Sequence, residues 1–297
     1  MKIAILWSTG FIGKYLVQYF SHMHHIVAFW RKNSPFLPEV EYEKWDLHFQ
    51  YSWDSLFDLC IDCACDTDYE KSNGELLRNN VDSLQHIHIF LEKAQCSRYI
   101  YISSSSVYMW ESGILTEGIN INTGNLINSY ALSKYLAEEY IRWNISQTIP
   151  SIILRPRAIY GEGDTTLFPR IISQSVFSYL LLPGDGCSRT SILSIENLAH
   201  GIETILDFTP ATSYEILNIA DESDFSYAEI YSWISEKYGF SWYIRIPRYL
   251  FFFLIKISRN KWSYILDNCY KDKVLNISKI RKLWYNPKWN IESFLRQ

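Results

Sequence analysis

The chain has 297 residues, 48% hydrophobic, 16% aromatic and 20% charged, with a formal net charge of −4. That length and apolar content support one large or two modest folded domains and exclude a disordered chain, while the slight acidity offers no footprint for nucleic acid. No apolar run reaches the roughly 18 residues of a membrane span, so no transmembrane segment is expected. Polar Ser8-Thr9-Gly10 interrupts the apolar N-terminus, against a signal peptide. The six cysteines, Cys60, Cys63, Cys65, Cys96, Cys187 and Cys269, show no paired framework, and a reducing, cytoplasmic setting fits them. Glycine is scarce, with 12 residues, so glycine clusters are expected where backbone geometry demands them.

Taken along the chain, the apolar runs 3–7, 26–30, 59–64, 99–103 and 151–155 read as strands, and the mixed stretches 12–21, 76–94 and 130–144 as helices. Strand–helix alternation at this spacing implies βαβ units and a doubly wound, parallel α/β sheet. After about residue 165 the alternation weakens, and Pro169, Pro183, Pro210 and Pro247 punctuate shorter elements. The expected division is 1–164, with a returning segment near 191–220, and a smaller substrate-binding region over 165–297.

The first strand runs into Trp7-Ser8-Thr9-Gly10-Phe11-Ile12-Gly13 and then a helix. A glycine-bearing turn at this place brings the backbone N–H groups of Thr9, Gly10, Phe11, Ile12 and Gly13 towards a pyrophosphate, which the helix N-terminus favours. The second strand ends in Phe29-Trp30-Arg31-Lys32. An acid there would suit the ribose of NAD, whereas Arg31 and Lys32 suit a 2′-phosphate, so NADP is favoured over NAD. Further on, Tyr130-Ala131-Leu132-Ser133-Lys134 places a phenol and an ammonium on one helix face, where the cation stabilises the phenolate and the pair can move a proton. This pair follows Ser104, in the run Ser103-Ser104-Ser105-Ser106-Val107-Tyr108, by 26 residues.

With these motifs in order, the chain resembles the extended short-chain dehydrogenases/reductases of the NAD-dependent epimerase/dehydratase superfamily. Asp46-Leu47 resembles the acidic-Leu pair that contacts adenine, and Asn79-Asn80-Val81 the Asn of the following helix. Arg155-Pro156, Tyr160-Gly161-Glu162-Gly163-Asp164, Pro183-Gly184-Asp185-Gly186, Glu196-Asn197 and Leu217-Asn218-Ile219 resemble later family blocks. The resemblance implies a Rossmann-like fold and a catalytic set of Ser104, Tyr130 and Lys134, with Ser103 and Ser105 as register alternatives for the serine. It implies cofactor contacts at Ala64, Asn80 and Pro156 beside the loop residues, Arg31, Lys32, Asp46, Leu47, Tyr130 and Lys134. Ser105, Arg157 and Ala158 would face the substrate. A homodimer through the helices near 76–94 and 130–144 is the family-level expectation.

Two positions depart from the pattern. Trp7 stands where the loop's first glycine belongs, and its indole either blocks the cofactor or turns aside into the core. Met109 replaces the glycine that usually follows Val-Tyr. Ala158 takes the place of the Asn of nucleotide-sugar members, and 154–171, Glu196-Asn197 and Ile246-Pro247 followed by apolar 249–257 look like the 3β-hydroxysteroid dehydrogenase-like branch. A small-molecule substrate, with an apolar or small hydroxyl/carbonyl compound preferred, is therefore expected. A nucleotide-sugar epimerase, dehydratase or reductase, and a cofactor-sensing or scaffold protein, are the alternatives. The apolar 249–257 stretch would line a pocket or touch a membrane surface peripherally. No metal site is expected: Cys60, Cys63 and Cys65 read as small hydrophobes on a buried strand, His22, His24 and His25 as a solvated loop, and Asp66, Asp68 and Glu70 as a polar loop above the cofactor cleft.

Overall fold

The computed structural model describes all residues except 33–36, 52, 54, 69–70, 124–128, 174, 248, 251–268 and 297, and the backbone alone at Asn73. The chain divides into two compact units: 1–107 with 126–155 and 205–217, and 108–125 with 156–204 and 218–297. In chain order the elements are β1 (Lys2–Leu6), α1 (Phe11–Ser21), β2 (His25–Trp30), β3 (Glu41–Lys44), β4 (Leu59–Asp62), α2 (Asn73–Leu77), α3 (Ser83–Lys93), β5 (Tyr99–Ile102), β6 (Gly113–Leu115), α4 (Ser129–Trp143), β7 (Ser151–Pro156) and β8 (Ile159–Tyr160). They continue as α5 (Leu167–Ile172), β9 (Ser175–Val176), β10 (Tyr179–Pro183), β11 (Arg189–Thr190), β12 (Leu193–Ser194), α6 (Ile195–Thr204), β13 (Tyr214–Ile219), β14 (Phe225–Ser226), α7 (Tyr227–Tyr238), β15 (Trp242–Ile246), β16 (Lys273–Leu275), α8 (Ser278–Arg281) and α9 (Ile291–Arg296).

The first unit is built on a seven-stranded sheet ordered β13-β7-β5-β4-β1-β2-β3. The β1–β2, β1–β4, β2–β3, β4–β5 and β5–β7 pairs are all parallel, with Ile3 opposite Ile26 on one side and Leu59 on the other. Strands covered on both faces should be continuously apolar, and Ile3, Ala4, Ile5 and Leu6 are fully buried. α1 buries Gly13, Leu16, Val17 and Phe20, the spacing of one helical face. The strand order reverses between β1 and β4, and the crevice at the carboxyl ends of these strands is where such sheets bind ligands. The aromatic excess is spent partly here: Phe29 packs against Trp45, Tyr51, Trp53, Phe57 and Phe90, with ring centres 5.2 to 6.3 Å apart.

Three boundaries differ from the sequence reading. β1 stops at Leu6, and Trp7 leaves the strand with φ 59°. β4 stops at Asp62, whose buried carboxylate accepts the amide of Ala64 at 2.8 Å and turns the chain, so Cys65 lies in a loop and is not a strand hydrophobe. The helix expected over 76–94 is α2 and α3 joined by a π-helical turn, Arg78–Asp82. That turn carries Asn80 inward, where burial is tolerable only because both ends of its amide are hydrogen-bonded.

The second unit holds a β9-β10-β15 sheet, a β14-β11-β16-β6 sheet and the β8–β12 pair. Its core joins Tyr160, Phe168, Leu180, Leu182, Ile230, Tyr231 and Ile234. α7 starts with a capping box between Ser226 and Glu229 and ends at Gly239, whose φ of 73° suits a residue without a side chain. Buried Lys273 ties down the turn after the serine run by donating to the carbonyl oxygens of Tyr108, Met109 and Glu111, the first at 3.1 Å. Among the described residues no helix is long and apolar enough to cross a membrane. Of the apolar stretch 249–257, Tyr249 and Leu250 are exposed and 251–257 lie outside the described residues.

Candidate active site

α4 buries an unusually polar face: Tyr130, Ser133, Lys134 and Glu138, along with Ala131, Ala137 and Ile141. Such a face is stable only if each polar group finds a partner. Ser133 Oγ accepts from Asn80 Nδ2 at 3.0 Å. Lys134 Nζ donates to Tyr101 Oη at 3.0 Å and to the carbonyl oxygen of Ile102 at 2.8 Å, at the carboxyl end of β5. Glu138 takes Arg155 Nε at 3.0 Å and the Ser103 hydroxyl at 2.5 Å, in a pair where both side chains are 4% exposed. Strands β5 and β7 thus hold the helix that bears the tyrosine and the lysine.

Burial pushes Lys134 below its ordinary value, while Cys65, Tyr130 and Asp62 around it, when ionised, raise it, and the net direction is upward. Burial also raises the Cys65 thiol, against the pull of nearby Lys134 and Tyr130. Burial likewise raises Asp62, which accepts the Tyr99 hydroxyl at 2.6 Å. Cys65, Asp62 and Tyr101 are members of this corner that the sequence reading passed over. Their signals were available: alternate tyrosines on the strand that ends at the serine run, and a cysteine directly after Ala64. Glu138 follows Lys134 by one further helical turn, on the same face.

The three candidate serines separate cleanly. Ser103 is consumed by Glu138, Ser105 is buried in a short turn, Ser105–Tyr108, and Ser104 sits half-buried at its entrance with its hydroxyl accepting the Ser106 amide at 3.1 Å. Ser104 is thus the serine left at the loop surface two residues beyond the Ile102 carbonyl that holds Lys134. Asp66, in the loop after β4, is bound by Lys71, by Asn79 Nδ2 at 2.7 Å and, through its backbone, by Asn80. Glu70 of the same predicted loop lies outside the described residues.

In the loop after β1, Gly10 caps α1 with no side-chain hydrogen bond, and no acid occupies the first turn. This helix end thus has no side-chain cap and no first-turn acid, which leaves its amides and positive dipole end suited to an anion. A Cβ on Gly13 would lie 2.3 Å from the Trp7 carbonyl oxygen, so only glycine lets the helix meet the strand this closely. Thr9, Phe11 and Ile12 are half-buried around this turn, Lys32 is exposed, and Ala64 is half-buried after β4. Arg31 stacks on Trp7, its guanidinium 4.6 Å from the ring centre, and its buried Nε has no hydrogen-bond partner among the described residues. Asp46 turns back to accept the His48 amide at 3.2 Å, while Leu47 is in the core. Pro156 closes β7. In the second unit, Arg157 Nε donates to Thr190 Oγ1 at 2.7 Å, and Ala158 has φ 45°.

A sequence profile of the NAD-dependent epimerase/dehydratase family matches residues 3–220. The chain belongs to this family. Among solved structures of similar fold are UDP-glucuronic acid 4-epimerase from Bacillus cereus in complex with NAD, at 21% identity over 99% of this chain and 96% of that one with TM-score 0.79. Another is ADP-L-glycero-D-manno-heptose-6-epimerase from Helicobacter pylori, at 17% identity over 99% and 94% with TM-score 0.75. Among curated proteins, a 2-alkyl-3-oxoalkanoate reductase of Stenotrophomonas maltophilia (strain K279a) is 34% identical over 70 residues, 24% of this chain and 21% of the relative. A reductase of the same name from Shewanella oneidensis is 26% identical over 131 residues, 41% of this chain and 33% of the relative. The match thus spans a third or less of these curated relatives.

The family is one of NAD-dependent enzymes of the extended short-chain dehydrogenase type, and the residues present fit a nicotinamide dinucleotide at all points but one. The first-turn amides of α1, the Gly13 approach, the Arg31 Nε without a partner among the described residues, and Lys134 all suit it. The exception is Trp7, whose indole lies where a side chain on Gly10 would go, 2.8 Å from its Cβ position.

Proposed function

We propose that the protein is an NADP-dependent oxidoreductase that interconverts a hydroxyl and a carbonyl on a small or apolar substrate. The observation that carries this reading is the Lys134 ammonium, buried and pinned between Tyr101 and the Ile102 carbonyl one helical turn from Tyr130. Tyr130 delivers a proton to the carbonyl oxygen during reduction and recovers it during oxidation. Lys134 stabilises the phenolate left behind, and the Ser104 hydroxyl donates to the same substrate oxygen. A nicotinamide held there would supply or take up the hydride at the substrate carbon. Arg31, a cation at the end of β2 whose Nε has no partner among the described residues, supports the 2′-phosphate and hence NADP.

Three observations support the substrate class. Arg157 is committed to Thr190 and Tyr227, and Arg189 to Asp224, so neither cation is spare for a diphosphate. Ala158 supplies no side-chain amide. The curated relatives, over the short stretches they share, are named as reductases of an oxoalkanoate. The 3β-hydroxysteroid dehydrogenase-like branch, with Ser105, Arg157 and Ala158 towards the substrate, a homodimer and a cytoplasmic location belong to the same reading.

The deciding experiment offers NADPH with a panel of ketones and 3-oxo acids, follows loss of the reduced nicotinamide, and measures melting with UDP and dTDP. Turnover of a ketone without stabilisation by either nucleotide is the expected result. Stabilisation by UDP or dTDP without ketone turnover would transfer the assignment to nucleotide sugars, and NADPH binding without turnover on any substrate would make the protein a cofactor sensor.

A further inference from the structure

Trp7 is more than a tolerated substitution in the dinucleotide loop. Its φ of 59° lies in the left-handed region, which a bulky side chain rarely enters, so the surrounding structure must hold it there. Two contacts do so. The indole packs against the buried cluster that includes Leu6, Val27 and Phe29, and the Arg31 guanidinium covers its ring. Held in this way, the indole lies over Gly10. A Cβ built on Gly10 would fall 2.8 Å from indole Cδ1 and 3.3 Å from Nε1. The second glycine of such a loop exists so that the cofactor's pyrophosphate can come close to the backbone. In this chain that room is filled from within.

We infer that Trp7 sets the affinity of the loop for dinucleotides: its indole occupies the phosphate approach beside Gly10, and a dinucleotide binds only as the indole leaves it. The inference rests on the dinucleotide reading above. It differs from the role given to Arg31, because the phosphates beside Gly10 are common to NADH and NADPH, whereas Arg31 distinguishes them. Removing the indole should therefore tighten both cofactors by a similar factor.

The test is calorimetric titration of NADH and of NADPH into the full chain, its Trp7→Gly variant and its Trp7→Ala variant, with melting curves to establish folding. Glycine accepts the left-handed backbone freely; alanine retains the backbone demand and removes only the indole, so the pair separates strain from obstruction. Both variants are expected to bind both cofactors at least about tenfold more tightly, the loss of one stacked, partly buried aromatic contact that binding otherwise has to break. Unchanged or weaker binding in both variants overturns the inference. So does a gain confined to NADPH, which would place Trp7 in the service of Arg31 alone. If the wild type binds and the variants match it, only this inference falls; if no form binds either cofactor, the dinucleotide reading falls with it.

Discussion

The catalytic corner and the dinucleotide loop lie on the same sheet and are made in opposite ways. At the proposed catalytic corner the polar side chains are each held by another group: Lys134 by Tyr101 and the Ile102 carbonyl, Ser133 by Asn80, Glu138 by Arg155 and Ser103. At the loop, function resides in room beside the backbone, and the residues that matter do so by what they lack. A corner of interlocked partners resists drift, since changing one residue strands several others. A loop defined by vacancy is altered by a single residue, and Trp7 is that residue.

The corner can be broken at its reactive group. Tyr130→Phe removes one hydroxyl from a side chain that is 8% exposed, so the fold should persist while turnover falls by roughly 10²–10⁴-fold. Reduced-nicotinamide consumption, read beside the melting temperature, checks both halves; undiminished turnover would remove Tyr130 from the chemistry. The clamp behind it is tested by Glu138→Ala, which leaves the Arg155 guanidinium buried without its carboxylate. The expected loss is about 3–5 kcal/mol in denaturant unfolding, with Glu138→Gln recovering part of it through its remaining hydrogen bonds. A loss no greater than that of an exposed pair would mean that the helix does not depend on this clamp.

A buried carboxylate with no cation partner among the described residues sharpens the point. In the second unit Asp221 accepts from Asn197 Nδ2 at 2.6 Å, the Ser194 amide at 2.9 Å and the Tyr160 hydroxyl at 2.7 Å. Burial nevertheless raises it to about 6, the three donors lowering it only in part. A carboxyl that titrates higher when folded than when unfolded binds its proton more tightly in the native state. Its contribution to stability is thus largest below about pH 4 and is lost as pH rises through about 6, on the order of 2–3 kcal/mol. Urea unfolding from pH 4 to 7 should show this slope in the wild type and a flatter one in Asp221→Asn. Identical slopes would indicate that the donors suffice to keep the carboxylate charged.

Much of this was legible in the sequence because the physics is periodic or local. Alternation of apolar runs and mixed stretches gave the parallel sheet, and the spacing of Tyr130 and Lys134 gave their common face. What escaped was set by partners distant in sequence. Nothing near Asn80 announces a π-helical turn, since the turn answers to Ser133 and the loop at Asp66. Cys65 read as strand because its neighbours are apolar, yet buried Asp62 ends that strand by accepting the Ala64 amide. Of the two fates left open for Trp7, packing on the core is seen, and the indole also lies against Gly10.

The smallest expected effect tests the contrast inside the loop itself. Gly10 and Gly13 are both crowded, but by different things. A methyl on Gly13 meets backbone, the Trp7 carbonyl oxygen at 2.3 Å and Ser8 Cα at 2.9 Å, and neither can retreat without opening the junction of β1 and α1. Gly13→Ala should therefore cost about 1–3 kcal/mol, as other overpacked sites do. A methyl on Gly10 meets the indole edge, and the backbone there, with φ −75°, is open to any residue. Alanine caps a helix less well than glycine and must also turn the indole aside, so Gly10→Ala should cost on the order of 1 kcal/mol, and less in the Trp7→Gly background where no indole has to move. Thermal melts of the two variants decide between a movable side chain and a fixed one. Equal losses would mean that the indole is as immovable as the backbone beneath it, and the loop would then be closed to phosphate by the same residue we expect to step aside.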